Sequence, residues 1–430
     1  MDPLTARKIF FVGIGGIGIS AIARLFLLEG KEVHGSDMSE SEITTMLSNL
    51  GAHIHIGQGF ALIPKDTDLI VYTTAIMHYD PEFMKEIFAS QIPAKSYPQM
   101  LHAVTAQKST IAVSGTHGKT TTTAMIAKVL IDAKKDPSVI VGSLLKDYKS
   151  NLIVGNGEHF VVEACEYERS FLNIVPKILV ITNIESDHLD YYKDLHDIEN
   201  AFHELSNQTG DIVVCDPHDP SVAAAIQNVS AQVIDYTKYI PKIGGLTVPG
   251  LHNIKNAAAS LAVAEYLGIP EDIAIASLQK FGGTWRRLEY KRTTEKGVIV
   301  YDDYAHHPTE IKASLEALRE LYPKGEKKIT IVFQPHLYSR TKAFFNEFAT
   351  AFNDADSVYF LPIYFARENP DPTVSSEILA QAVSAHVSGA RAFTSFEEAE
   401  AYFKDAGLGE NDVFVTMGAG EAYRVGKALK

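Results

Sequence analysis

Residues 109–130 read STIAVSGTHGKTTTTAMIAKVL, and the pattern changes twice within this stretch. An apolar run, Thr110 to Val113, has the length and character of a buried strand. It enters a glycine loop, and a helical pattern opens at Lys119. Strand, loop and helix in that order aim loop amides and a helix N-terminus at one point, which is how a backbone holds phosphate. Lys119 is then placed to neutralise phosphate oxygens and the Thr120 hydroxyl to ligate Mg²⁺. The full G-x-x-x-x-G-K-[ST] pattern requires glycine where this chain has Val113, so the loop is a shortened form, Gly115-Thr116-His117-Gly118-Lys119-Thr120. A lone glycine turn is often only structural; Lys-Thr at a strand-to-helix junction points to nucleotide binding.

Towards the N-terminus, residues 8–24 read KIFFVGIGGIGISAIAR, and Gly13, Gly15 and Gly18 fit G-x-G-x-x-G after an apolar strand. Asp37 closes the next candidate strand, KEVHGSD. Alone, this predicts a dinucleotide turn and a nicotinamide dehydrogenase. The turn is indifferent to which diphosphate it meets, so it identifies an anion site and not a redox reaction. Towards the C-terminus, VVEACEY ends a strand at Glu163, and VITNIESDHLD ends another close to Asp187 and His188. Groups at the carboxyl ends of parallel strands line the ligand crevice. Mg²⁺ prefers oxygen donors, so Thr120 and Glu163 suit it and His188 is an unusual partner. Singly, each acid or histidine reads more plainly as a surface or loop residue; their shared position after strands favours the ligand role.

Strands alternate with helical patterns along all 430 residues, which predicts an α/β protein with largely parallel sheets and more than one core. The expected division is a Rossmann-like domain over 1–107, a central P-loop ATPase-like domain over 108–295, and a Rossmann-like domain over 296–430. The third begins near GVIVYDDYAHHP and includes KKITIVFQPH and DVFVTMGAG. Hydrophobic residues at 46% and charged residues at 21% describe a chain able to bury such cores. A formal charge of −14 argues against nucleic acid as a partner, because counterion release needs clustered Lys and Arg. Two cysteines, Cys165 and Cys215, form no disulfide framework, and no apolar run is long enough to span a bilayer. A cytoplasmic protein, monomer or homodimer, without membrane insertion, is the expectation. The segment Ile9 to Ala23 follows Arg7 and Lys8 in the order of a signal peptide, but its glycine spacing fits strand, turn and helix better.

Read in order, GIGGIGISAIA, SGTHGKTTTTAMI, EACEYERSFL, TNIESDHLDYY, PGLHNIKNAAA, WRRLE, YDDYAHHPTEIKA, FQPHLYSRT and TMGAG carry a resemblance across essentially the whole chain. The chain resembles the Mur ligases, the ATP-dependent amide-forming enzymes of peptidoglycan synthesis. The resemblance implies attachment of L-alanine to the lactyl carboxylate of UDP-N-acetylmuramate through an acyl phosphate, with ATP and Mg²⁺. WRRLE also resembles the recycling branch, which adds L-Ala-γ-D-Glu-meso-diaminopimelate to the same sugar nucleotide. The first domain would then hold the UDP portion through Gly13, Gly15, Gly16, Ile17, Gly18, Ser36, Asp37 and Thr74. ATP would lie on Gly115, Thr116, His117, Gly118, Lys119, Thr120 and Thr121, with Asn253 and Asn256 near adenine, Arg287 near phosphate and Asp303 at the ribose. Thr120, Glu163 and His188 would serve the metal, and Tyr304, His306, His336 and Arg340 the incoming amino acid. Lys119, Glu163, His188, Arg287 and His306 form the implied catalytic set, His306 being a base by residue type alone. Two positions depart from the pattern: Leu337, where many relatives carry a basic residue, and Glu421, where aspartate is commoner. A linker near Tyr290 to Gly297 is the expected hinge for closure of the third domain. From other classes, a dehydrogenase predicts no need for Lys119, and a non-catalytic nucleotide sensor predicts binding without turnover.

Overall fold

The computed structural model describes residues 2–146, 148, 150–365 and 368–429. They build three sheets. In the first, β1 (Lys8–Val12), β2 (Glu32–Asp37), β3 (His53–Ile56), β4 (Leu69–Tyr72) and β5 (Ala94–Ser96) run parallel in the order β3-β2-β1-β4-β5. Ile9 to Val12 are fully buried, as a central parallel strand covered on both faces requires. Strand order reverses between β1 and its neighbours β2 and β4, which opens a crevice at their carboxyl ends. There the first glycine turn leads into the helix Ile17–Leu28.

The second sheet comprises β6 (Ser109–Ser114), β7 (Ser138–Leu145), β8 (Ser150–Ile153), β9 (His159–Glu163), β10 (Ile178–Ile181), β11 (Ile212–Cys215) and β12 (Gln232–Asp235). Its order is β12-β11-β10-β6-β9-β7-β8, parallel except where β8 returns antiparallel on β7. The β7–β8 hairpin reaches the first sheet's helix. The buried Asn151 amide donates to the Ile17 carbonyl and to Ser20 Oγ at 3.1 Å.

The third sheet comprises β13 (Glu289–Thr293), β14 (Ile299–Asp303), β15 (Lys328–Phe333), β16 (Ser357–Phe360), β17 (Ala390–Ala392) and β18 (Asp412–Met417), in the order β13-β14-β18-β15-β16-β17. Only β13 is antiparallel, against β14. Alternation along the strands divides the core: Ile329, Ile331 and Phe333 pack with Phe348 and Phe352 on one face, and Val332 and Phe414 with Phe393 and Phe403 on the other. Residues 290–293, expected as linker, are thus strand, and the polar run EYKRT hides this because an edge strand need not alternate with apolar residues.

The three sheets form two compact units. One contains residues up to Ile184, Ile198–Lys242 and Ala257–Leu278, and so both of the first two sheets. The other contains Glu185–Asp197, Ile243–Asn256 and everything from Gln279 onward. Among the described residues no helix is long and apolar enough to cross a membrane.

Candidate active site

In the first unit β6 delivers the chain to Gly115 and Gly118, at φ +134° and +84°, before the helix Lys119–Asp132 begins. A Cβ on Gly115 would stand 2.0 Å from Thr182 Oγ1, so only glycine lets the loop lie this close to the end of β10. Asn183 fastens the loop from that side. Its carbonyl and Oδ1 accept from the amides of Thr116 and His117 at 3.1 and 3.0 Å, and its Nδ2 donates to the His117 carbonyl at 3.0 Å. The first-turn amides of the helix, with Thr120 and Thr121 buried, have no acceptor inside the helix and face the loop's opening.

Lys119 folds back over this loop. Its Nζ donates to the carbonyls of Gly115 and Thr116 at 2.6 and 3.0 Å and pairs with Glu166 at 2.8 Å. Burial pulls the lysine pKa down, but the Glu166 carboxylate outweighs it and raises the ammonium to about 12. Glu166 is itself buried. It lies three residues after Glu163, within EACEYERSFL, where no local pattern marks it as a partner of Lys119. The Thr120 hydroxyl donates to Glu163 Oε2 at 3.0 Å, and the Gly142 amide of β7 donates to the same oxygen at 2.7 Å. A Cβ on Gly142 would meet that carboxylate at 2.8 Å. A hydroxyl and a carboxylate oxygen converging beside a phosphate loop are a donor set that fits Mg²⁺. His188 belongs to the second unit, at φ +53° beside Asp187, so the candidate metal donors of the first unit are Thr120 and Glu163.

The first glycine turn is also intact. The amides of Gly13 and Ile14 donate to the Ser36 carbonyl at 2.8 and 3.1 Å, and the Gly15 amide donates to Asp37 Oδ2 at 2.8 Å. Ser36 is buried and acts through its carbonyl. Gly16 caps the helix that Ile17 and Gly18 begin, and the Thr74 carbonyl accepts from the Met77 amide just beyond β4.

The second unit gathers the remaining candidates at the carboxyl ends of β14 and β15. Arg340 is buried and donates from Nε and Nη2 to Asp187 Oδ1 at 3.0 and 2.9 Å, and from Nη1 to His336 Nδ1 at 2.9 Å. Burial alone would raise the Asp187 carboxyl, but Arg340 holds it well below the usual carboxylate range. The His306 and His336 rings meet edge to face at 5.7 Å, and His336 stacks on Tyr364. His306 Nδ1 lies 2.9 Å from the Tyr304 carbonyl, and burial lowers its pKa to about 4 despite Glu310 nearby. Leu337 sits between these groups at φ +70°, a strained conformation for a branched residue, with its amide donating to the Tyr364 carbonyl. Beside Arg340 a cleft of about 100 Å³ has Leu189, Leu337 and Phe344 on its apolar side and Asp187 and His188 on its polar side.

Adjacent arginines of WRRLE divide their work. Arg286 is buried and donates to Asp302 Oδ2 and to the carbonyls of Gly418 and Gly420, at 2.8 to 2.9 Å, locking TMGAG to β14. Arg287 is 30% exposed, 3.6 Å from Glu310 and 5.2 Å from the Tyr304 ring centre. Asp303 is buried; Ser314 Oγ donates to one of its oxygens and the Ala305 amide to the other. Asn253 and Asn256 are buried at the start of the helix Leu251–Tyr266, Asn253 Nδ2 donating to the Pro249 carbonyl at 2.7 Å.

The Mur ligase family, catalytic domain model matches residues 8–109, the Mur ligase middle domain model 113–243, and the Mur ligase, glutamate ligase domain model 286–420. The chain is 39% identical to a UDP-N-acetylmuramate–L-alanine ligase of Clostridium novyi, covering 98% of this chain and 96% of that protein. It is 40% identical to the ligase of the same name from Clostridium kluyveri, covering 99% and 98%. Among solved structures, a UDP-N-acetylmuramate-alanine ligase from Thermotoga maritima superposes with a TM-score of 0.80 at 29% identity, covering 98% and 97%. A murein peptide ligase from Psychrobacter arcticus, at 23% identity and a TM-score of 0.73, shares the fold over 98% of both chains. Three consecutive domain models and nearly full-length likeness lead to one conclusion: the chain belongs to the Mur ligase family.

Proposed function

We propose that the chain attaches L-alanine to the lactyl carboxylate of UDP-N-acetylmuramate, converting ATP to ADP and phosphate. Its near full-length likeness to ligases of that name carries the reading, and the phosphate loop closed on Thr120 and Glu163 supports the chemistry. The recycling reading, addition of a tripeptide, is supported by the WRRLE stretch and by likeness to two peptide-ligase structures at 23 and 25% identity, against 39 to 40% for the alanine ligases.

A carboxylate is a poor electrophile because its leaving group would be oxide. One carboxylate oxygen therefore attacks the γ-phosphorus, ADP departs, and the acyl phosphate is displaced by the alanine amine with loss of phosphate. Lys119 stays cationic across the working range and exchanges Glu166 and two carbonyls for phosphate oxygens. Thr120 and Glu163 would hold Mg²⁺, with His188 assigned by the family; the ion supplies charge neutralisation on the phosphates. Arg340 keeps N–H groups beyond those on Asp187 and His336 with which to meet the amino-acid carboxylate. His306, neutral above about pH 4, donates from Nδ1 to Tyr304 and offers Nε2 as an acceptor that orients the amine. Such an imidazole is too weak a base to hold an ammonium proton, which narrows its role to orientation. Arg287 and Asp303, with Asn253 and Asn256, complete the nucleotide side. The Gly13–Gly18 turn, held in shape by Asp37 on the Gly15 amide, takes the UDP diphosphate together with Thr74. Domain limits near 107 and 295 and a cytoplasmic location belong to the same reading.

The test is phosphate release from ATP with Mg²⁺ and UDP-N-acetylmuramate. Release that depends on L-alanine is expected. Release only with L-Ala-γ-D-Glu-meso-diaminopimelate would make the chain a recycling ligase.

A further inference from the structure

Tyr97 has no part in the chemistry above, yet it lies where the two halves of that chemistry meet within the first unit. It is the first residue of the helix Tyr97–Thr105, immediately after β5, at the same carboxyl end of the parallel sheet as the Gly13–Gly18 turn. A capping box fixes this helix start: Ser96 Oγ accepts from the Gln99 amide, and Gln99 Oε1 from the Ser96 amide at 3.0 Å. The tyrosine ring lies flush against the other glycine helix. A Cβ on Gly18 would stand 2.7 Å from Cζ and 2.8 Å from the phenolic oxygen. The third glycine of G-x-G-x-x-G is therefore needed here to admit a side chain, not only for helix packing.

The same hydroxyl feels the central sheet. Burial, then the charge of Glu163, raises its pKa and keeps it protonated. No hydrogen-bond partner for it occurs among the described residues. Glu163 is the carboxylate that pairs with Thr120 at the phosphate loop. A donor set against the Gly18 face of the sugar-nucleotide turn, and within electrostatic reach of the carboxylate that pairs with Thr120, is placed to meet a carboxylate on its way to a γ-phosphate.

We infer that the Tyr97 hydroxyl is a further catalytic group, donating a hydrogen bond to the lactyl carboxylate of the sugar nucleotide as that carboxylate is brought to the phosphate loop. This rests on the proposed ligase reading. A neutral phenol suits the task. It fixes the carboxylate by one charge-assisted bond without the full neutralisation by a cation that would blunt its attack.

The experiment compares the full chain with its Tyr97→Phe variant, which keeps the ring against Gly18 and removes only the hydroxyl. Calorimetric titration with UDP-N-acetylmuramate and with UDP-N-acetylglucosamine, which lacks the lactyl carboxylate, is set beside alanine-dependent phosphate release. The variant is expected to bind UDP-N-acetylmuramate about tenfold more weakly, to bind UDP-N-acetylglucosamine unchanged, and to lose roughly ten- to hundredfold in kcat. The KM for ATP and for alanine should hold. Equal weakening of both sugar nucleotides would put the hydroxyl on the diphosphate and overturn the inference, as would unchanged binding and turnover. If the unaltered chain releases no alanine-dependent phosphate, the ligase reading itself fails, and that failure is separately visible.

Discussion

At the carboxyl end of β1 the turn Gly13–Gly18 leads into the helix Ile17–Leu28; at the carboxyl end of β6 the loop Gly115–Gly118 leads into the helix Lys119–Asp132. The backbones follow one plan, and the side chains do opposite things with it. In the first turn a carboxylate, Asp37, accepts from the Gly15 amide at 2.8 Å. In the second an ammonium, Lys119, lies across the loop and is balanced by Glu166. On the proposed function both make an anion site from amides and a helix start. The difference teaches that the fold supplies the cradle, while nearby charges decide whether the guest is only held or also transferred. A diphosphate that stays intact needs no cation beside it; a γ-phosphate that departs does.

The largest expected effect tests that difference directly. Lys119→Ala should lower kcat by roughly 10³-fold while leaving UDP-N-acetylmuramate affinity unchanged by calorimetry. If turnover survives, the lysine does not distinguish the two turns. Next in size is a matched pair of glycine replacements. Gly115→Ala sets a Cβ 2.0 Å from Thr182 Oγ1 at φ +134°, whereas Gly13→Ala meets the Thr73 methyl at 2.6 Å at φ +74°. The first should depress the melting midpoint more, by an extra ~1–3 kcal/mol in stability, because its opposing atoms include the Asn183 backbone. Equal losses would mean that the two turns are equally constrained. The smallest effect concerns Asp37→Asn, which keeps an acceptor for Gly15 and removes a negative charge. Binding of UDP at low salt should tighten about threefold, and the gain should fade as salt is added. A weakened affinity would show that the carboxylate itself contacts the ligand.

Both glycine turns, the alternation of strands and helices, and the residues on the loops were legible because each is a local pattern: a period, a glycine spacing, a lysine at a helix start. What was not legible joins residues far apart in the chain. Glu166 meets Lys119 across 47 positions and Asp187 meets Arg340 across 153, and nothing in either neighbourhood announces its partner. Tyr97 was hidden in a proline-punctuated stretch whose only local message was a helix cap. Arg286 and Arg287 look equivalent in WRRLE; backbone at φ +54° sends the first inward to Asp302 and leaves the second 30% exposed. The strand β13 escaped because its five residues are mostly polar and its pairing partner, not its composition, makes it a strand.

Asn183 has one more consequence. It takes up the amides of Thr116 and His117 through its own carbonyl and side chain, so the loop has its shape before any nucleotide arrives. The ordering entropy of those residues is spent when the chain folds and is not charged again at each catalytic cycle. Nucleotide association should therefore proceed at a rate set by diffusion and charge, without a slow step of loop assembly.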